Sequence, residues 1–117
     1  METIAEKISR YQKLILDYYK ERAAIKYANL PNCENMIVAD TERHHYQLLT
    51  TGWATDRFVY SITFHLDIAE DGKIWIRANW TDIDIAQKLV ERGVAKSDIV
   101  LGFYPEYLRE ESEYAVS

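Results

Sequence analysis

An alternating run of side chains in the middle of the chain constrains the fold most. Large apolar residues occupy every second position from Phe58 to Leu66. Successive side chains of a β-strand point to opposite faces of the sheet, so a period of two predicts a strand with one buried face. Residues 74–80 alternate in the same way, and Glu70-Asp71-Gly72 between the two segments is typical of a hairpin turn. The centre of the chain is therefore predicted to be antiparallel sheet.

Two further strands are predicted upstream, over residues 35–40 and 44–53. A turn at Thr41-Glu42-Arg43 would join them, and residues 54–56 would turn into the strand that contains Phe58. Sequential strands joined by short turns favour an antiparallel meander. The predicted sheet therefore has four strands in the order of the sequence.

The turn lengths also predict which residues lie opposite each other. A three-residue loop at 70–72 sets Ala69 against Lys73, and a three-residue turn at 54–56 sets Trp53 against Arg57. The remaining pairs follow from these two, and they are Asp67 with Trp75, His65 with Arg77, Phe64 with Ala78, Gln47 with Thr63, and His45 with His65.

Helical periodicity flanks the predicted sheet on both sides. From Thr3 to about Lys26 the apolar residues recur every three or four positions, and Thr3 with Glu6 forms a capping-box pattern. A second helix is predicted over residues 82–92, with Thr81 as its N-cap and Gly93 just beyond its end. The predicted fold is therefore a single α+β domain, residues 1–117, in which both helices pack on one face of the sheet.

This register assigns the strand residues to two faces. The even-numbered set is the predicted core beneath the helices, and it comprises Tyr46, Leu48, Tyr60, Ile62, Phe64, Leu66, Ile74 and Ile76. The odd-numbered set mixes aromatic and polar residues, and it comprises His45, Leu49, Thr51, Trp53, Val59, Thr63, His65, Trp75 and Arg77. Such a face is typical of a contact surface, so we predict partner binding at Trp53, His65, Trp75 and Arg77. The alternative is that the C-terminal segment covers part of this face.

Charge argues against a protein that mainly grips nucleic acid. The 14 basic and 19 acidic residues give a net charge of −5, whereas DNA-binding proteins usually present a basic surface. The first helix is the most basic segment, and direct DNA binding through Lys13 and Lys20 is the less favoured alternative.

The lone cysteine and the polar N-terminus point to a cytoplasmic protein. Cys33 leaves no partner for an intrachain disulfide, which suits a reducing compartment. Charged residues at Glu2, Glu6 and Lys7 interrupt any signal-peptide pattern. We therefore expect a cytoplasmic location and no membrane association.

A small set of carboxylates and imidazoles offers an enzymatic alternative. Asp40, Glu42, His45 and His65 are ligand types that could hold a metal ion in a small nuclease or hydrolase. Adjacent His44 and His45 would point to opposite sides of a strand, however, which weakens this hypothesis. The chain also lacks the hydrolase serine elbow, the phosphate loop and the dinucleotide fingerprint. We therefore predict no catalytic residue, no metal and no cofactor.

Several segments together resemble a known family. They are Asp40-Thr41-Glu42-Arg43-His44-His45-Tyr46-Gln47-Leu48-Leu49, Gly52-Trp53, His65-Leu66-Asp67-Ile68, Asp71-Gly72-Lys73-Ile74-Trp75-Ile76, Leu89-Val90-Glu91-Arg92-Gly93-Val94 and Ile99-Val100-Leu101-Gly102-Phe103. In order and spacing the chain resembles the XisI-like family, the fdxN element excision controlling factors of cyanobacteria. It differs from the family pattern at Ala95 and Tyr104, where proline and histidine are expected.

The resemblance implies a role in control rather than in catalysis. The family is associated with programmed excision of a DNA element during heterocyst differentiation, in which a separate recombinase performs the strand chemistry. It implies a XisH-like protein as partner and assigns no catalytic residue to this chain. A homo-oligomer is also compatible with it.

Overall fold

A computed structural model describes all 117 residues of the chain. It contains a long N-terminal helix, five strands and two short helices. In chain order they are α1 (Ile4–Ala23), β1 (Cys33–Asp40), β2 (His45–Ala54), β3 (Arg57–Ile68), β4 (Ile74–Asn79), α2 (Ile85–Glu91), β5 (Ile99–Leu101) and α3 (Glu106–Arg109), with a 3-10 turn at Lys96–Asp98 before β5.

The predicted α+β architecture is confirmed. Strands β1 to β4 form an antiparallel meander in the order of the sequence, and the short β5 extends the sheet by pairing parallel to β4. Phe64 and Ile76 belong to the same buried cluster, together with residues of α1 and α2 such as Ile15 and Leu89. Both helices therefore cover one face of the sheet, as the alternation predicts.

Helix α1 begins at the predicted cap. The Thr3 hydroxyl accepts a hydrogen bond from the Glu6 backbone N–H, and the Glu6 carboxylate accepts one from the Thr3 backbone N–H. The buried stripe of this helix includes three tyrosines, and the Tyr19 hydroxyl donates to the Tyr46 carbonyl 3.0 Å away. A buried hydroxyl that finds a partner avoids the cost of desolvation, so the aromatic stripe can pack on the sheet.

The predicted register between β2 and β3 is wrong. Ala54 lies opposite Arg57, so the turn contains two residues rather than three, and Thr55 takes a positive φ of 57° there. A bulge then leaves Thr63 without a cross-strand partner. As a result Trp53 lies opposite Phe58, Gln47 opposite His65, and His45 opposite Asp67.

The predicted register between β3 and β4 holds only next to the turn. Asp67 lies opposite Trp75 as predicted, and the Ala69 N–H bonds the Lys73 carbonyl at 2.9 Å. A second bulge leaves Arg77 unpaired, so the predicted pairs of His65 with Arg77 and of Phe64 with Ala78 are wrong. One extra residue on one strand shifts every pair beyond it.

Helix α2 begins later than predicted. Its N-cap is Asp84, whose carboxylate accepts from the Gln87 N–H at 3.1 Å. Thr81 instead holds a tight turn, in which its hydroxyl donates to the Asn79 side chain and accepts from the Ile83 N–H. Thr81 and Asp84 are both residue types that cap helices well, but only the Asp84 side chain bonds to a helix N–H group.

No helix in the structure is both long enough and apolar enough to cross a membrane.

Candidate interaction surface

The sheet face opposite α1 and α2 carries the exposed aromatic residues of the strands. We call it the open face. Strands β1, β2 and β3 place seven large apolar side chains on it, namely Met36, Val38, Leu49, Trp53, Phe58, Tyr60 and Ile62. Five of them are exposed, Leu49 is buried among its neighbours and Ile62 is half-buried. Contiguous exposed apolar surface of this kind is uncommon on a protein that works alone.

The composition of this face differs from the sequence-based assignment. Tyr60 and Ile62 were predicted in the core but lie on the open face, because they pair with Thr51 and Leu49. Val59 lies on the helix side opposite Gly52, and Thr63 approaches Thr50 on that same side. The shorter turn and the bulge account for both exchanges, because a shift of one residue moves a side chain to the other face.

One end of the open face is aromatic. Trp53 and Phe58 form a cross-strand pair beside the β2–β3 turn, with ring centroids 5.4 Å apart at 61°. Tyr60 lies next to them along β3, and its side chain is 67% exposed. Aromatic side chains lose little conformational entropy on binding and bury a large area, so this end resembles a binding hot spot.

The other end of the open face is polar and is organised by Asp67. The Arg77 Nε donates to both carboxylate oxygens of Asp67, at 2.9 and 3.2 Å. The His45 Nδ1 lies 3.6 Å from the same carboxylate. The predicted row of His45, His65 and Arg77 is therefore built around a carboxylate.

Two guanidinium groups contact the ring of Trp75. The Arg77 Cζ is 4.6 Å from the centroid of the Trp75 ring, and the Arg109 Cζ is 5.3 Å from it. Arg109 is held in place because it donates to the backbone carbonyls of Tyr104 and Val116. The C-terminal segment therefore covers this edge of the open face, which is the alternative raised by the sequence, and it leaves the aromatic end bare.

The four predicted partner-binding residues do not form one cluster. His65, Trp75 and Arg77 lie together at the polar end, whereas Trp53 is at the aromatic end. Trp53 lies opposite Phe58 and Trp75 lies opposite Asp67. These two residues of β3 are nine positions apart, which is roughly 30 Å of strand. A partner that touched all four would have to span most of the open face.

Sequence reasoning missed part of this surface. Met36 and Val38 of β1 are 41% and 48% exposed, and they are predicted to lie in a strand but are assigned to neither face. Tyr60 is predicted in the core, because the alternation from Phe58 to Leu66 indicates one buried face. Apolar residues at both even- and odd-numbered positions of neighbouring strands would have indicated that both faces of the sheet are apolar.

His65 is the most constrained ionisable group of the open face. Its Nδ1 lies 3.5 Å from the Gln47 amide nitrogen, and its Nε2 is buried without a hydrogen-bond partner. Burial lowers the pKa of His65 below its ordinary value of 6.5, and the nearby Asp67 carboxylate only partly opposes this. A lowered pKa favours the neutral imidazole at neutral pH.

The candidate metal ligands have other roles. The Asp40 carboxylate accepts from the backbone N–H groups of Glu42 and Arg43 and from the Arg43 guanidinium, and these bonds lower its pKa. No group of three or more His, Cys, Asp or Glu side chains is arranged to hold a metal ion.

Three of the five basic residues of α1, Lys7, Arg10 and Lys13, form ion pairs, whereas Lys20 and Arg22 do not. Lys13 pairs with Asp17 at 2.7 Å, and Arg10 pairs with Glu2 at the same distance. Arg92 of the adjoining turn pairs with Glu21. A paired carboxylate repels phosphate, so Lys13 is poorly placed to hold a DNA backbone, and Lys20 is left as the unpaired member of the two lysines named for DNA binding.

Fold and surface together define a class of protein: a small α+β domain whose open sheet face carries exposed aromatic residues. The model of the XisI protein family matches residues 5–116, so the chain belongs to the XisI family. A XisI-like protein from Anabaena variabilis, whose crystal structure is known, is 36% identical in sequence to this chain. The two structures match with a TM-score of 0.85, and the match covers 94% of this chain and 99% of the other.

A second solved structure carries a functional name. It is the fdxN element excision controlling factor XisI from Anabaena variabilis, with 26% identity and a TM-score of 0.77 over 95% of this chain and 99% of the other. No curated protein matches the sequence significantly.

Proposed function

We propose that this protein is a non-enzymatic accessory factor that helps to control the excision of a DNA element by binding another protein. The observation that carries the proposal is an open sheet face with exposed aromatic residues in a member of the XisI family. A relative in that family is named as an excision controlling factor. A factor that controls excision without catalysing it would act by contacting the proteins that cut or join DNA.

The partner in this proposal is a XisH-like protein, as the family resemblance implies. The contact uses the open face, with Trp53 and Tyr60 as aromatic anchors at one end and Trp75 and Arg77 at the other. Tryptophan, tyrosine and arginine are the residue types most enriched in binding hot spots. The net charge of −5 favours a partner with a basic surface.

Co-expression with the XisH-like protein tests the proposal. We expect the two proteins to co-purify, and we expect Trp53→Ala and Trp75→Ala each to reduce the recovery of the partner. The control is Tyr27→Ala, because Tyr27 is exposed and lines a cleft on the helix side with Thr50 and Val59. Equal recovery with all variants would show that the open face is not the contact.

The same preparation tests the enzymatic alternative. A metal-dependent nuclease would carry stoichiometric metal that both His45→Ala and His65→Ala remove, together with metal-dependent cleavage of DNA. We expect no such metal and no cleavage. Metal that is lost in both variants would overturn the non-enzymatic assignment, whatever the outcome of the co-purification.

A further inference from the structure

The two edges of the sheet differ in how they are protected. At the β5 edge the C-terminal segment adds a bridge between Val100 and Ala115, and the Ala115 N–H bonds the Ile99 carbonyl at 2.8 Å. At the β1 edge no segment of the chain is paired. From Glu34 to Asp40 the backbone bonds only to β2, and no side chain bonds to it. This edge therefore offers a row of free N–H and C=O groups.

Strand β1 lacks the features that keep exposed edges apart. Proteins usually blunt an edge strand with proline, lysine or a bulge, or they cover it. The sequence Cys-Glu-Asn-Met-Ile-Val-Ala-Asp contains neither proline nor lysine, and all eight residues pair with β2 without a register shift. Its five central residues, Asn35–Ala39, are uncharged, and Met36 and Val38 are exposed. Such a strand is ready to pair with another strand.

We propose that β1 pairs antiparallel with β1 of a second copy, so that two five-stranded sheets join into one across a two-fold axis. Strands β2, β3 and β4 are each paired on both sides. Strand β5 is paired with β4 on one side, and on the other it forms only the bridge between Val100 and Ala115. A second copy offers the same free edge, and antiparallel pairing satisfies both at once. The uncharged centre suits an equally uncharged strand better than a basic one.

Charge at the strand ends selects the register. A two-fold axis perpendicular to the sheet sets each residue opposite one of the same parity, because both copies present the same face. Placing Ile37 on the axis would set Glu34 opposite Asp40, which is a like-charge pair and is unfavourable. Placing Met36 on the axis sets Glu34 opposite Val38 and pairs residues 33–39, so it is the favoured arrangement.

The assembly is independent of the XisH-like contact. It uses the strand edge and involves the purified chain alone, so it can fail while the proposed function holds, and the reverse is also possible. The open faces of both copies lie on the same side of the joined sheet, which brings the two Met36 side chains together and sets each Val38 opposite Glu34 of the other copy. A dimer would therefore present two aromatic ends to its partners.

Hydrogen exchange and sedimentation of the purified chain test the pairing. We expect a dimer by sedimentation, and we expect alternate amides of β1 to exchange at least about tenfold more slowly when concentration is raised into the dimer range. Amides of β5 serve as the control and should not change. A monomer at all concentrations, or a dimer in which β1 amides exchange at the same rate, would overturn the proposal.

Cysteine cross-linking tests the register in a Cys33→Ser background. Met36→Cys lies on the axis, so oxidation should yield a covalent dimer. Val38→Cys is the matched control. Val38 lies two residues from the axis in each copy and on opposite sides of it, so the two introduced cysteines would be about 13 Å apart, too far for a disulfide. Cross-linking of Val38→Cys but not of Met36→Cys would contradict this arrangement.

Discussion

At the residue scale, His65 is unusual because its Nε2 is buried without a hydrogen-bond partner. His45, Asp67 and Arg77 all lie near it, yet burial lowers its pKa more than Asp67 raises it. The folded protein thus binds a proton at His65 less readily than the unfolded chain does. At a pH between the lowered pKa of the folded state and 6.5, the unfolded state holds more protons at His65 than the folded state. The contribution of neutral His65 to the free energy of unfolding is therefore fully present above pH 6.5 and is lost as the pH falls through this interval.

This linkage predicts a pH dependence that belongs to one residue. We expect the free energy of unfolding of the wild type to fall as pH drops from 7 towards 5, and we expect His65→Asn to lose less over that interval. Denaturant unfolding at several pH values measures both proteins, and the other two histidines are common to them. Parallel curves would mean that His65 titrates alike in the folded and unfolded states.

The two kinds of aromatic site should also differ in their effect on stability. Phe64 is fully buried between the sheet and the α1 tyrosines, so Phe64→Ala should cost about 3–5 kcal/mol of unfolding free energy. Trp75 is half-buried under Arg77 and Arg109, so Trp75→Ala should cost less. Chemical denaturation compares the two, and an equal loss would mean that Trp75 is a core residue.

At the element scale, periodicity identified the strands, and local geometry decided which way they face. The alternation from Phe58 to Leu66 correctly predicted β3, and Gly72 has the positive φ of 86° that its turn requires. A two-residue turn at Thr55-Asp56 and the bulges at Thr63 and Arg77 were not predictable, because many residue types tolerate them. Each inserts or removes one residue, so each reverses the face assignment of the residues beyond it.

These shifts had unequal consequences for the candidate surface. Trp53 and Trp75 were predicted on the open face and lie there, because their own strands kept the expected phase. Tyr60 was assigned to the core, because its position depended on the turn and the bulge. The covering of Trp75 by Arg109 was raised only as an alternative, since it depends on a contact between residues far apart in the sequence.

The revised start of α2 leads to a direct prediction. Asp84 caps the helix and Asp82 is exposed without a bond to it. Asp84→Ala should therefore lower the free energy of unfolding by about 1 kcal/mol, whereas Asp82→Ala should have almost no effect. Thermal or denaturant unfolding of the two variants makes the comparison. The reverse order would restore the cap at Thr81 with Asp82 in the first turn.

At the scale of the whole molecule, the two proposed contacts use separate surfaces of the protein. The helices cover one sheet face, the C-terminal segment covers the β5 edge, and the open face and the β1 edge remain free. The negative charge of the molecule makes contact with a basic partner faster and salt-dependent. A family member with this arrangement is suited to bring proteins together.

Calorimetric titration of the purified XisH-like protein into this protein tests the central claim most directly. We expect Trp53→Ala and Tyr60→Ala each to weaken binding by about 2 kcal/mol, which is roughly a 30-fold rise in Kd. The control Tyr27→Ala removes an exposed tyrosine from the helix side and should leave Kd unchanged. If Tyr27→Ala weakens binding while Trp53→Ala and Tyr60→Ala do not, the open face is not the contact surface.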